Sequence, residues 1–233
     1  NLAEKENFYK YYDRSFNFDQ PLATTAPSKY VYISENTNNK QVIGNTTYLA
    51  VEAVYTPVKV TTECTYNPAG DGEFQIKEGP LATGVTTFSK INLAGGAAFP
   101  LKNNLFADVA IATSILKAVL AANNYKEGGT PTEAAAFTAE FKKRFSTYTD
   151  GKSYYRLNVG NIITEGPNTG QINYGIRRNS QYQITINSFK QLGVATPGEL
   201  DDNPEIPVSS QGTYVTATIV VAGWEEYTQN GDL

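Results

Sequence analysis

Two stretches toward the C-terminal end alternate apolar and polar residues with period two, and this limits the fold more than any other feature of the chain. From Gln181 to Asn187, Tyr182, Ile184 and Ile186 fall on one face and Gln181, Gln183, Thr185 and Asn187 on the other. That is the pattern of a strand buried on one side and wet on the other. From Tyr214 to Val221, Val215, Ala217, Ile219 and Val221 alternate with Tyr214, Thr216, Thr218 and Val220. This second strand has no strongly polar face, so it is either central in a sandwich or made to pair with something outside its own fold. The fold class expected is mainly β, an antiparallel β-sandwich.

Composition agrees with that class and removes several functions. The 233 residues include sixteen Tyr and eleven Phe but one Trp, with abundant Thr, Asn and Gly, which suits wet β-structure and tight turns. There is no histidine and a single cysteine. Nucleophile systems of the Ser-His and Cys-His kind, His-containing zinc sites and the usual proton shuttle near neutral pH are therefore ruled out. The chain is not expected to be an enzyme, and no catalytic residue, cofactor or metal is assigned. Cys64 has no internal disulfide partner and reads as a small, partly buried side chain. With a formal net charge of −4 and no run of Lys or Arg, nucleic acid is not a partner. No segment approaches the roughly twenty apolar residues of a membrane span.

Along the chain, residues 1–28 read as a linker or the remnant of a preceding domain, with Phe8, Tyr9, Tyr11, Tyr12, Phe16 and Phe18 followed by PLATTAPS. Strands are expected over 29–34, 46–55, 57–62, 73–77 and 85–91, with NPAGDGEF as a hairpin turn. The period then changes to 3.6. Leu105, Val109, Ala112, Leu116 and Val119 form one stripe of a helix starting after Asn103 or Asn104 and ending near Asn123. A second helix has Thr130 as N-cap, Pro131 at its first position and Glu133 completing a capping box. It runs through Ala134, Phe137, Phe141 and Phe145, with Lys142, Lys143 and Arg144 in the last turn. The pair is a helical insertion, about 104–145, in a β-domain spanning 29–233.

Few clusters offer chemistry. Glu199, Asp201, Asp202, Asn203 and Glu205 supply oxygen ligands of the calcium type but lack EF-hand spacing, and a solvated loop is the other reading. Arg177 and Arg178, adjacent on a strand, would point to opposite faces, one toward a carboxylate and one toward water. No carboxylate pair stands out for glycoside hydrolysis. Tyr154, Tyr155 and Tyr174 are the platforms a carbohydrate-binding or tip-adhesin sandwich would use, which is the alternative function.

The segments YGIRRNSQY (Tyr174 to Tyr182), QITINSFKQLGVATPG after it, the acidic-Pro loop DDNPEIP and the valine-rich strand closing on Trp224 resemble the C-terminal region of the Bacteroidales fimbrillins, the type V pilins, and among them the minor-fimbria shaft subunits. KYVYISENT (Lys29 to Thr37) and TTYLAVEAVYT (Thr46 to Thr56) resemble the opening of that family's C-terminal domain. The resemblance implies a transthyretin-like sandwich in a fimbrial subunit on the outer membrane, acting in adhesion and biofilm formation. Its partners would be neighbouring subunits in a homopolymer, accessory anchor and tip proteins, and host or bacterial surface receptors. It also implies an N-terminal domain ahead of Asn1. In that family an Arg-specific protease removes an N-terminal strand, and the C-terminal region of a neighbour fills the groove by β-strand addition. The polymerisation residues so implied are Val215, Ala217, Ile219, Val221, Trp224, Tyr227 and Leu233. In EEYTQNGDL, after Trp224, only Tyr227 and Leu233 are bulky and apolar. Either the chain is truncated or the strand Thr213 to Ala222 itself takes part in exchange. The other reading keeps that strand at home, with Trp224 capping the core.

Overall fold

The computed structural model describes residues 33, 35–67, 74–93, 104–163, 166–201, 204–210 and 214–223. The expected strand at 29–34, the aromatic segment 1–28, and Trp224, Tyr227 and Leu233 therefore lie outside the described residues, except for Ile33. Among the described residues the protein is mainly β with two α-helices. In chain order come β1 (Tyr48–Val54), β2 (Val60–Tyr66), β3 (Phe74–Gly79), β4 (Phe88–Ile91), β5 (Leu105–Phe106), α1 (Val109–Ala122), α2 (Pro131–Arg144), β6 (Phe145–Tyr148), β7 (Lys152–Asn158), β8 (Asn161–Ile162), β9 (Ile172–Asn173), β10 (Ser180–Phe189) and β11 (Val215–Gly223). The chain forms two compact units. The first holds Asn1–Val51, Arg156–Lys190 and Asp201–Leu233, the second Glu52–Tyr155 and Gln191–Leu200. The paired strands β1 and β7 each pass from one unit to the other.

The second unit is built on a five-stranded sheet in the order β3-β2-β5-β4-β6. All its pairings are antiparallel except β2 with β5, where Thr61 stands opposite Phe106 in a parallel pair. One side of this unit's core joins Ile91, Leu93 and Phe106 to Ala112, Ile115, Leu116, Val119 and Leu120 of α1, with Phe137 of α2. Cys64, Tyr66, Phe74, Phe141 and Phe145 pack on its rim. A smaller cluster places Phe88 against Tyr148 and Ala195.

The start of α1 differs from the expected one. Leu105 does not lie on the helical stripe; it is in β5 and pairs with Lys90 of β4. Val109, the next expected stripe residue, is exposed. The N-cap is Asp108, whose side chain accepts from the N–H groups of Ala110 at 2.6 Å and Ile111 at 3.4 Å. From Ala112 onward the stripe is buried as its spacing requires. Phe145 likewise leaves the helix and opens β6, although Phe137, Phe141 and Phe145 still stack in succession.

The cap of α2 is the one its sequence specifies. Thr130 Oγ1 accepts from the Glu133 N–H, and the Thr130 N–H donates to Glu133 Oε2 at 2.8 Å. Lys126 adds an ion pair to Glu133 at 2.9 Å, and its hydrogen bond, followed by those from Thr130, lowers the Glu133 pKa. Replacing Thr130 by Ala is expected to destabilise the second unit by about 1 kcal/mol, because the cap oxygen and half the box are lost together. Urea unfolding followed by circular dichroism checks this. An unchanged midpoint with the helix intact would show that the cap is idle.

In the first unit, the segment 36–46 is held between two others by backbone bridges, Asn36 to Ile176 and Val42 to Pro207. Ile43 N–H donates to Ile206 O at 2.9 Å and Gly44 N–H to Pro204 O at 2.8 Å. Arg156, projecting from β7, fastens the same segment from another direction. Its Nη2 donates to Ile43 O at 2.6 Å and Thr46 O at 3.1 Å, its Nε donates to Asn158 Oδ1 at 2.7 Å, and the guanidinium lies 3.6 Å from the Tyr48 ring centroid. A planar fork of fixed donors suits this task; a lysine, with one point charge, could not satisfy the same set. Asn38 turns the segment with φ of +45°, a left-handed conformation that Asn tolerates, and its Nδ2 donates to Thr46 Oγ1 and Tyr174 O.

Candidate functional site: the β10–β11 ribbon

Most of the residues singled out for polymerisation fall on one ribbon. β10 and β11 form a two-stranded antiparallel sheet in which Tyr182 stands opposite Val221, Ile184 opposite Ile219, and Ile186 opposite Ala217. Directly opposed residues in an antiparallel pair share a face. Tyr182, Ile184, Ile186, Ala217, Ile219 and Val221 therefore make one apolar row, and Gln181, Gln183, Thr185, Thr218 and Val220 line the reverse. The expected alternation is thus realised in both strands, and the ribbon brings together Val215, Ala217, Ile219 and Val221.

A bulge interrupts β10 between Ile186 and Ser188, leaving Asn187 without an opposite residue. Beyond it the pairing resumes with Ser188 opposite Thr216 and Phe189 opposite Val215, so the apolar row keeps its face. Polar side chains secure the irregularity. Ser188 Oγ and Thr216 Oγ1 are 2.6 Å apart, and Asn187 Nδ2 donates to Thr218 Oγ1 at 2.9 Å. At one end Lys190 N–H donates to Tyr214 O. At the other, Arg177 N–H donates to the Tyr182 hydroxyl at 2.9 Å.

Burial along the apolar row is uneven. Val215 is fully buried, and Ala217, Ile219 and Val221 are half-buried. On the opposing strand Ile186 is 38% exposed and Phe189 45%, while on the reverse face Val220 is 52% exposed. A two-stranded ribbon of this length is marginal on its own, so exposed apolar groups on both of its faces leave favourable burial unused.

The other sequence candidates settle as follows. Arg177 and Arg178 sit in the turn before β10, not on a strand; Asn179 has φ of +50° there, and Arg178 forms an exposed ion pair with Glu35. Such a pair contributes little to stability. Tyr154 and Tyr155 are buried in the second unit and Tyr174 is half-buried in the first, so the three do not offer an exposed aromatic platform. Cys64 is a half-buried free thiol whose pKa is raised by burial, the condition of an unreactive packing residue. Asp202 and Asn203 of the acidic loop lie outside the described residues. Among the described residues no group of three His, Cys, Asp or Glu side chains could hold a metal ion, and no helix is long and apolar enough to cross a membrane.

Two structural residues escaped the sequence reading. Arg156 was visible as a lone cation amid the apolar strand residues YYRLNV. Tyr148 had no such mark. Its buried hydroxyl donates to Gly193 O at 2.8 Å, and burial first, then the Glu199 charge, raises its pKa far above the ordinary phenol value.

The ribbon and its surroundings define a mainly β protein in which the strands β10 and β11 are only partly covered by the described residues. Residues 146–230 match the family described as major fimbrial subunit protein type IV, fimbrillin, C-terminal. The matched range contains both ribbon strands. No curated protein matches the chain.

Proposed function

We propose that this chain is a fimbrial shaft subunit of the Bacteroidales minor-fimbria type that polymerises by donor-strand exchange. Residues 29–233 would be its C-terminal domain, a transthyretin-like sandwich preceded by a linker at 1–28. The observation that carries the proposal is the coincidence of the fimbrillin match with the incompletely covered ribbon. Ladder hydrogen bonds supply affinity in strand addition, and the alternating row of Val215, Ala217, Ile219 and Val221 supplies register. Trp224, Tyr227 and Leu233 continue the donor segment. The assembled fibre, attached at the outer membrane, would meet accessory anchor and tip proteins, support adhesion to host or bacterial receptors, and contribute to biofilm formation. The carbohydrate-binding alternative loses its basis with the burial of Tyr154 and Tyr155.

Deleting residues 224–233 from the full-length subunit is expected to leave a folded monomer that forms no fibres. Electron microscopy and the SDS-resistant ladder of the assembled protein read this out. Fibres of normal length from the truncated subunit would remove the donor role from the tail.

A further inference from the structure

Exposed edge strands are ordinarily guarded by charges, prolines or bulges, because an open row of N–H and C=O groups invites another strand. The ten residues of β10 and the nine of β11 include no Asp, Glu, Lys, Arg or Pro. Neither strand pairs with a third among the described residues. β10 does carry one guard, the bulge at Asn187, which breaks its edge midway. β11 has none. Its sequence VTATIVVAG centres on Ile219 with the β-branched Thr218 and Val220 on either side, and has no charge to repel an identical strand in a chain of net charge −4.

We propose that β11 pairs antiparallel with β11 of a second copy across a two-fold axis at Ile219, joining two ribbons into one four-stranded sheet. In that register Ile219 faces its own equivalent, Thr218 faces Val220, Ala217 faces Val221, Thr216 faces Ala222 and Val215 faces Gly223. Residues of like parity meet throughout, so the half-buried apolar row continues on the same face of the enlarged sheet. A slip of one residue would set the Ile219 row beside the Thr218 row and lose that continuity. The central pairs, Ile219 with its equivalent and Thr218 with Val220, are of the β-branched kind that is favourable across strands. The contact is isologous and closes at two copies, unlike the head-to-tail addition of a fibre. It needs β11 to remain paired with β10 in its home ribbon, so it describes the chain before any strand exchange and is tested apart from the fimbrial reading.

The test uses the 233-residue chain in solution. Light scattering coupled to size exclusion is expected to show a mass that doubles as concentration rises. Thr218 and Val220 are exposed on the reverse face and oppose each other in the proposed register. The double variant Thr218→Lys with Val220→Lys should therefore be monomeric, as should Thr218→Glu with Val220→Glu, and an equimolar mixture of the two should regain the dimer mass. A wild-type chain that stays monomeric at every concentration overturns the proposal, as does either double variant dimerising as well as wild type. Should the variants fail to fold, hydrogen exchange on the wild-type chain decides the matter. The β11 amides outside the β10 ladder should gain protection with concentration. Protection already complete in the dilute monomer would mean that a segment of the same chain covers this edge, and the proposal would fall. Loss of the dimer would leave the fibre assay with the truncated subunit unaffected, so the two readings fail separately.

Discussion

Phe88→Ala is expected to lower the stability of the second unit by about 3–5 kcal/mol, the range for truncating a fully buried aromatic ring. Phe88 has no exposed surface, its ring stacks on Tyr148 with centroids 5.0 Å apart at 10°, and the Tyr55 ring meets it edge-on at 6.0 Å. Ala195 and Tyr148 are the other buried members of the cluster, and Leu81, Leu105 and Leu192 pack against it, so partial refilling by these leucines sets the loss toward the lower end of that range. A domain of this size has a total stability of about 5–15 kcal/mol, so a large part of it would be lost. Equilibrium urea unfolding followed by circular dichroism measures the change. A loss under about 1 kcal/mol would mean that the cluster repacks freely and is not a core.

Gly193→Ala is expected to be comparably damaging, through a different cause. A Cβ at this position would press into the backbone oxygen of Tyr154 and come within 2.9 Å of Ser153 Oγ. Backbone cannot rotate away as a flexible side chain does, so the segment must move. Movement breaks a cluster of bonds that converge here: Tyr148 Oη to Gly193 O, Gly193 N–H to Ser153 Oγ at 2.9 Å, and the two backbone bonds between Tyr154 and Val194. Overpacking costs about 1–3 kcal/mol, and stranding buried donors and acceptors adds about 1–3 kcal/mol more. The expected result is a loss of about 3 kcal/mol or more in the same unfolding experiment, with the Tyr148 environment altered in near-ultraviolet dichroism. Wild-type stability in this variant would show that residues 191–200 are not held as described.

Legibility in the sequence followed the range of the interaction. The α2 cap was readable because Thr130, Pro131 and Glu133 act on one another within a single turn. The strands β10 and β11 were readable because wet and buried faces alternate, and side-chain period reports that directly. The beginning of α1 was misplaced because Leu105 and Phe106 satisfy helical spacing as well as strand pairing; their neighbours β2 and β4 decide between the two, and those neighbours are remote in sequence. Asp108 carried the correct start signal, but Asn103 and Asn104 offered a competing cap. Burial of Tyr154 and Tyr155 could not be read from alternation, since β7 is covered on both faces from Ser153 to Tyr155. Gly193 is informative only once Tyr148, 45 residues away, is known to lie beside it.

The path of the chain through its two units also sets the order in which they can form. Leaving the first unit at Val51, the chain builds most of the second, goes back to the first at Arg156, returns for Gln191–Leu200, and ends in the first again. Domains usually acquire structure as they leave the ribosome, the N-terminal one first. That option is closed here, because the segment that accepts the Tyr148 hydroxyl and the strand that pairs with β10 each follow the rest of their own unit along the chain. A nascent chain arrested before residue 190 has neither unit complete. Each unit is thus obliged to wait for a segment made after most of the other, and the two cannot mature one after the other in chain order.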